Sequence, residues 1–382
     1  MLLTADALIT GAELLRPGWI DVHDGAVADV GSGPPPWPAD RDLGDVTVVP
    51  GFVDTHVHGG GGASFSTALP ADTATATDFH LRHGTTTLIA SLVTAGPEEL
   101  LRQVEHLAEQ VSTGIIAGVH LEGPWLAPTR CGAHEPTLLR NPDPHEVGRI
   151  IDLGGNSIRM VTLAPELAGG LAAIEMVVAA GIVAAVGHTE ATYEQTRAAI
   201  DAGATVGTHL FNAMRPIHHR EPGPIIALVE DPRVTVELIA DGVHVNPALY
   251  RHVSRSVGAD RMSLVTDAMS AAGMSDGRYG LGPLAVDVID GVARVAGSQT
   301  IAGSTATMDQ LFRFAVAHCG LPLEGALLLA VRQASINPAR ALGLPAGGLA
   351  RGADADLVVL DAELTVTGVL RRGSWAVEPS AP

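Results

Sequence analysis

The 382-residue sequence predicts a (β/α)8 barrel of the TIM type, with a small β-sandwich domain formed from both chain ends. Three observations predict it. Eight apolar, strand-like runs alternate with helical patterns through the middle of the chain. The composition is 46% hydrophobic but only 3% aromatic, so the core must be Val, Leu, Ile and Ala, which suit buried parallel strands. The two ends share another texture, short alternating runs broken by turn residues.

Residues 1–49 read as strands and turns. WIDVHDGAVADVG holds Asp24-Gly25 between two alternating runs, a hairpin signal, and GSGPPPWPAD (31–40) is a loop. The segment is too small to hold a large core, and 345–382 resembles it. The ends are therefore expected to pair as one small domain (1–49 and 345–382) flanking a barrel over 50–344. Expected barrel strands are 48–58, 84–91, 114–123, 157–166, 181–188, 204–211, 234–244 and 262–269. PEELLRQVEHLAEQV (97–111) and ATYEQTRAAIDAG (191–203) carry helical periodicity. A doubly wound sheet would need a glycine-rich phosphate turn after the first strand. Gly59 to Gly62 follow that strand without the G-x-G-x-x-G spacing, so they read as a loop. AVDVIDGVARVA marks 275–303 as a hairpin insertion near the barrel mouth, followed by helices over 306–319 and 322–336.

The net charge is −19, which argues against nucleic acid and anionic membranes as partners. Every one of the 23 basic residues is arginine. That excludes a lysine Schiff base, a P-loop lysine and a carboxylated lysine between two metals. Two cysteines, no signal-like start and no long apolar run point to a reduced, cytoplasmic setting.

Several strand ends carry chemistry. His56 and His58 end strand one at a spacing of two, which puts both imidazoles on one face, able to chelate one ion. Asp54 could orient one of them. Glu122 ends strand three after GIIAGVHL, and Asp267 ends strand eight in LVTDAM. A buried carboxylate needs a partner; the plainer alternative for Glu122 is an ion pair with an arginine. His188 ends strand five and His209 strand six. Each alone is a weak signal, but barrel strand ends converge on one site, so the set points to a metal centre. Cys131 lies three residues before His134 in a turn-rich loop and is either an inert thiol or part of a gate; Cys319 reads as core.

The motifs PGFVDTHVHG (50–59), HLEGPWL (120–126), GHTEA (187–191), THLFNAM (208–214), HHREPG (218–223), ADGVHV (240–245), VTDAMSAAG (265–273) and IAGS (301–304) resemble the amidohydrolase superfamily of metal-dependent hydrolases, over essentially the whole chain. Within it they resemble the members that deacetylate amino-sugar phosphates. The resemblance implies removal of the N-acetyl group of N-acetylglucosamine-6-phosphate, in amino-sugar catabolism and cell-wall recycling. It makes Glu122, His188 and His209 ligands of the main divalent ion, with zinc the expected metal. His56 and His58 are the expected second set. Family members bind one or two ions; with both histidines kept, a pair bridged by Glu122 fits. Asp267 becomes the general base and acid that serves the metal-activated water. His134 polarises the carbonyl. Arg220 and His244 become phosphate contacts near Asn212 and Ala213, while Ala133, His134, Ile301, Ala302 and Gly303 map to the substrate. Some contacts would come from a neighbouring subunit, which implies a homodimer with the phosphate site near the interface. Without the motif, Arg220 would read as a surface salt bridge with Glu221. His218 and His219 would shape the pocket. Two alternatives stay open: another amidohydrolase acting on a related N-acyl sugar phosphate or N-acyl amino acid, and a non-catalytic scaffold of the same fold. So does the choice among gluco, galacto and manno rings.

Overall fold

A computed structural model describes residues 1–379. Its centre is an eight-stranded parallel sheet whose strands follow chain order. They are β1 Phe52–Val57, β2 Thr85–Leu92, β3 Gly118–Glu122 and β4 Ile158–Leu163, then β5 Val183–Val186, β6 Val206–Gly207, β7 Thr235–Leu238 and β8 Met262–Leu264. The sheet closes just past β8. There the Asp267 N–H donates to the His56 carbonyl at 2.8 Å, and the His58 N–H donates to the Ala268 carbonyl at 2.8 Å. The fold is thus the expected TIM barrel.

Every barrel strand except β2 is shorter than the sequence suggests. β3 was expected over 114–123, β6 over 204–211 and β8 over 262–269. The last two stop early because the chain turns left-handed: φ is 29° at His209, 80° at Phe211, 49° at Ala213 and 48° at Asp267. His188, just after β5, has φ 47°. Such conformations cost non-glycine residues about 1–3 kcal/mol each and cluster at functional sites. Here they aim His188, His209 and Asp267 at the barrel axis.

The helical patterns form as expected. The apolar stripe of 97–111 becomes Pro97–Ser112, burying Leu100, Val104 and Leu107 against the sheet. Residues 191–203 yield Tyr193–Asp201, started by a Thr192–Gln195 capping box. After the insertion come Met308–His318 and Leu323–Val331, the latter continuing through a wider turn into Asn337–Ala341. Ala339, Leu342 and Leu344 pack with Val53, Ile89, Met160, Ala185 and Val206 and plug the barrel opposite its mouth. The insertion is a three-stranded antiparallel sheet, Gly277–Leu281, Leu284–Ile289 and Val292–Val295.

Two further sheets involve the chain ends. Thr47–Pro50 pairs antiparallel with Leu357–Leu360, so one six-stranded sheet contains both ends. A four-stranded sheet of N-terminal strands lies with it over a core that includes Leu3, Ile20, Val48, Leu349, Val359 and Leu370. Both cysteines are free. No helix among the described residues is long and apolar enough to cross a membrane.

Candidate active site

Glu122 ends β3 and sits at the meeting point of the site. Its Oε1 lies 3.0 Å from His188 Nε2 and 2.8 Å from His209 Nε2. Its Oε2 lies 3.1 Å from His58 Nε2 and 3.4 Å from both His56 Nε2 and His134 Nε2. Asp267 Oδ1 completes the second group, 3.1 Å from His58 Nε2 and 3.5 Å from His56 Nε2. All of these side chains are buried. The arginine partner considered for Glu122 is not what the structure provides: its partners are histidines.

The donor chemistry fits a divalent cation. His188 Nδ1 faces the Arg130 carbonyl at 2.9 Å, and His58 Nδ1 faces the Ser91 carbonyl at 3.2 Å. In a neutral ring each Nδ1 therefore carries the proton, and each Nε2 presents a lone pair to Glu122. Lone pairs held 3.0–3.1 Å from a carboxylate oxygen need positive charge between them. Donors around a tetrahedral zinc sit about 3.3–3.5 Å apart, close to the spacings here. Two groups, His56, His58, Glu122 and Asp267, and Glu122, His134 and His188, each bring their ligand atoms within 4.8 Å of one another.

The electrostatics agree. Burial alone would raise Glu122, but the charge of His56 and the close rings of His134, His188 and His209 hold it well below the usual carboxylate range. Burial is likewise overcome at Asp267 by His56 and His58, so its carboxyl is lowered. Burial works to lower His56 and His58, yet Glu122 and Asp267 leave both raised. Carboxylates that draw protons onto these rings would equally draw a cation. His134 behaves differently: burial lowers it to about 4 against the pull of Glu122, so its ring is neutral at pH 7. Its Nδ1 accepts from the Thr94 backbone N–H at 3.2 Å, with Thr94 Oγ1 at 2.8 Å. The ring proton is therefore on Nε2, on the side facing Glu122.

Above this floor opens a cavity of about 420 Å³. Ala133, His134, Asn212, Ala213, His244, Ile301 and Gly303 line it, as do Glu122, His58, His188, His209 and Asp267. Ala302 is buried behind its neighbours and does not line the cavity. Cys131 is half-buried and also outside the lining, although Gly132 and Ala133 are in it. Arg220 is exposed and off the cavity of this single chain, donating to His219 Nε2 at 2.8 Å. The alternative of an Arg220–Glu221 salt bridge is not seen; Glu221 pairs with Arg215. His244 pairs with Asp241 at 2.7 Å. Burial would lower His244, but Asp241 outweighs it and leaves the imidazole raised.

Some residues around the site escaped sequence reasoning. Asp54 does not reach a histidine ring; it accepts from the His56 and Thr266 backbone N–H groups and from the Thr266 hydroxyl, tying β1 to β8. The group facing His56 Nδ1 is Glu237, at 3.5 Å, on β7. A lone glutamate in VTVELIAD offered only its burial as a signal. His120, buried between Ser91 Oγ at 2.9 Å and Thr162 Oγ1 at 2.8 Å, stiffens β3 beneath Glu122. Arg130 also lines the cavity, paired with Glu190.

Residues 47–376 match the model of the amidohydrolase family. N-acetylgalactosamine-6-phosphate deacetylase of Escherichia coli O157:H7 is 37% identical over 372 residues, covering 95% of this chain and 97% of that protein. N-acetylglucosamine-6-phosphate deacetylase of Mus musculus is 35% identical over 398 residues, covering 100% of this chain and 94% of that one. Among solved structures, the D267A mutant of N-acetyl-D-glucosamine-6-phosphate deacetylase from Mycobacterium smegmatis, in complex with N-acetyl-D-glucosamine-6-phosphate, is 68% identical with a TM-score of 0.98 over 99% of each chain.

Proposed function

The chain belongs to the amidohydrolase family, and from that premise we infer that it hydrolyses the N-acetyl group of N-acetylglucosamine-6-phosphate, giving glucosamine-6-phosphate and acetate. The observation that carries this is Glu122 with its ring of histidines beside Asp267, in a chain so similar to one solved with that sugar phosphate.

Glu122, His188 and His209 would hold the main divalent ion, and His56 and His58 a second, with zinc the ion that best suits imidazole and carboxylate. Such an ion supplies Lewis acidity toward the amide carbonyl and lowers the pKa of water. Asp267, kept ionised by its histidine neighbours, takes a proton from the attacking water and returns it to the departing amine nitrogen. His134, neutral and fixed as the Nε2–H form by Thr94, donates a hydrogen bond to the carbonyl oxygen as charge builds there. Ala133, Ile301 and Gly303 shape the sugar subsite, backed by Ala302.

His244 and Arg220 bind the phosphate, beside Asn212 and Ala213. Arg220 is free of acidic partners among the described residues and lies near the exposed Ile217, which is 50% accessible. That pattern supports a homodimer in which the Arg220 loop serves a neighbouring subunit's site. Cys131 adjoins the lining and would gate the cavity from the loop that carries His134. The chain also divides naturally into 1–49 with 345–382 and 50–344, because Leu344 belongs to the barrel plug and Leu349 to the sandwich core.

The 37% identical relative named for the galacto sugar keeps a second substrate in view. Acetate release from the gluco, galacto and manno N-acetyl 6-phosphates and from unphosphorylated N-acetylglucosamine separates the readings. The gluco phosphate should lead. A lead by the unphosphorylated sugar, or no release from any of them, would remove this assignment.

A further inference from the structure

Glu237 on β7 is a buried carboxylate, 2% exposed, to which the proposed reaction gives no task. In the sheet β8 lies between β7 and β1, so the Glu237 side chain meets His56 across the barrel interior. Its Oε1 accepts from the Thr55 hydroxyl at 3.1 Å. Its Oε2 is buried without a hydrogen-bond partner among the described residues, and so is His56 Nδ1. These two atoms face each other at 3.5 Å. Among the described residues no arginine pairs with Glu237; the His56 ring is its one ion-pair partner. A carboxylate taken out of water needs compensation. Here it has to arrive through that ring.

The ring has two different sides. His56 Nε2 is turned to the floor, 3.1 Å from His58 Nε2, 3.4 Å from Glu122 Oε2 and 3.5 Å from Asp267 Oδ1. His56 Nδ1 is turned away from it, to Glu237. The other expected ligands differ at that outer nitrogen. His58 faces the Ser91 carbonyl and His188 the Arg130 carbonyl, both neutral, while His209 Nδ1 has no partner among the described residues. Only His56 has an anion behind it. A carboxylate in that place keeps the proton on Nδ1, orients the ring and makes Nε2 a stronger donor to a cation. The backbone of Glu237 serves another ligand: its carbonyl accepts from the Leu210 N–H at 2.8 Å, directly after His209. A change confined to the side chain leaves that link in place.

We propose that Glu237 is a positioning residue for the second ion: it fixes His56 in the Nδ1–H form and sets how tightly that ion is held, while the ion at Glu122, His188 and His209 does not depend on it. The role rests on the metal-dependent reading above. Zinc titrated into the metal-stripped full chain, in competition with a chromophoric chelator, reads the two affinities, and cobalt absorption reads the coordination of each equivalent. Wild type should take up two ions. Glu237→Gln keeps the shape and an oxygen for Thr55 but loses the charge; it should weaken the second ion by about 10- to 100-fold, leave the first within about twofold, and alter the cobalt spectrum only at the second equivalent. Thr55→Val, which releases Oε1, should weaken the second ion less and in the same direction. Excess zinc should restore turnover in Glu237→Gln. A single ion in wild type, an unchanged second ion in Glu237→Gln, or equal weakening of both ions would overturn the role. Deacetylation by a wild type holding one ion would leave the functional reading standing without it; no ion and no deacetylation would remove both.

Discussion

The floor and the rim of the active-site cavity are built differently. At the floor, Glu122, His188, His209, His56, His58 and Asp267 are buried at strand ends and in mutual contact. At the rim, His244, Asn212 and Ile301 sit on loops, and Arg220 points to solvent. Backbone closure of the barrel between β1 and Ala268 holds the floor to a fixed geometry. The rim depends on side chains with few partners. On the function proposed above, the bond-breaking chemistry is complete within one chain, whereas recognition of the phosphate invites a second.

Substitutions in the two regions should therefore fail differently. The largest effect belongs to the floor. Asp267→Asn should lower kcat by about 10²–10⁴ while metal content and substrate affinity stay near normal, measured by steady-state kinetics and metal analysis. Near-normal turnover would remove Asp267 as the proton carrier. At the rim, Arg220→Ala should raise KM for the phosphorylated substrate by about 10- to 100-fold with little change in kcat, the worth of one charge-assisted hydrogen bond. An unmoved KM would put the phosphate elsewhere. Mixing Arg220→Ala and Asp267→Asn chains should restore turnover at low substrate concentration if the loop crosses to a partner.

Between floor and rim stands Thr94. Thr94→Val keeps the backbone N–H but loses the hydroxyl at His134, so kcat should fall by about tenfold with KM held, a fraction of what a full oxyanion donor contributes. The smallest effect is a pH dependence. His244 faces Asp241 and, further off, Asp267, and its pKa is raised in the folded protein. The imidazolium thus persists to higher pH than that of an ordinary histidine and is lost as pH rises through that raised value. KM for the phosphate ester should climb a few-fold on the alkaline side, where the phosphate itself is already dianionic. Asp241→Asn should move that rise to lower pH.

The same contrast explains what the sequence disclosed. Glu122 was legible because a carboxylate closing an apolar strand demands a partner, and His56 and His58 because their spacing fixes a shared face. Strand boundaries at His209 and Asp267 were not, since nothing in those residue types announces a left-handed backbone. Glu237 was hidden because its contact with His56 joins strands far apart in the chain. Thr94 gained its importance only from the ring of His134, forty residues on. Arg220 was found through its motif; within a single chain it is exposed and bonds only His219.

The central claim is that a divalent ion gathered around Glu122 makes this chain a deacetylase. Acetate release from N-acetylglucosamine-6-phosphate, followed through chelation and metal return, tests it most directly. Chelated wild type should lose turnover and regain it on adding zinc, and Glu122→Gln should do neither. Full activity in the metal-stripped protein, or restored activity in Glu122→Gln, would contradict it.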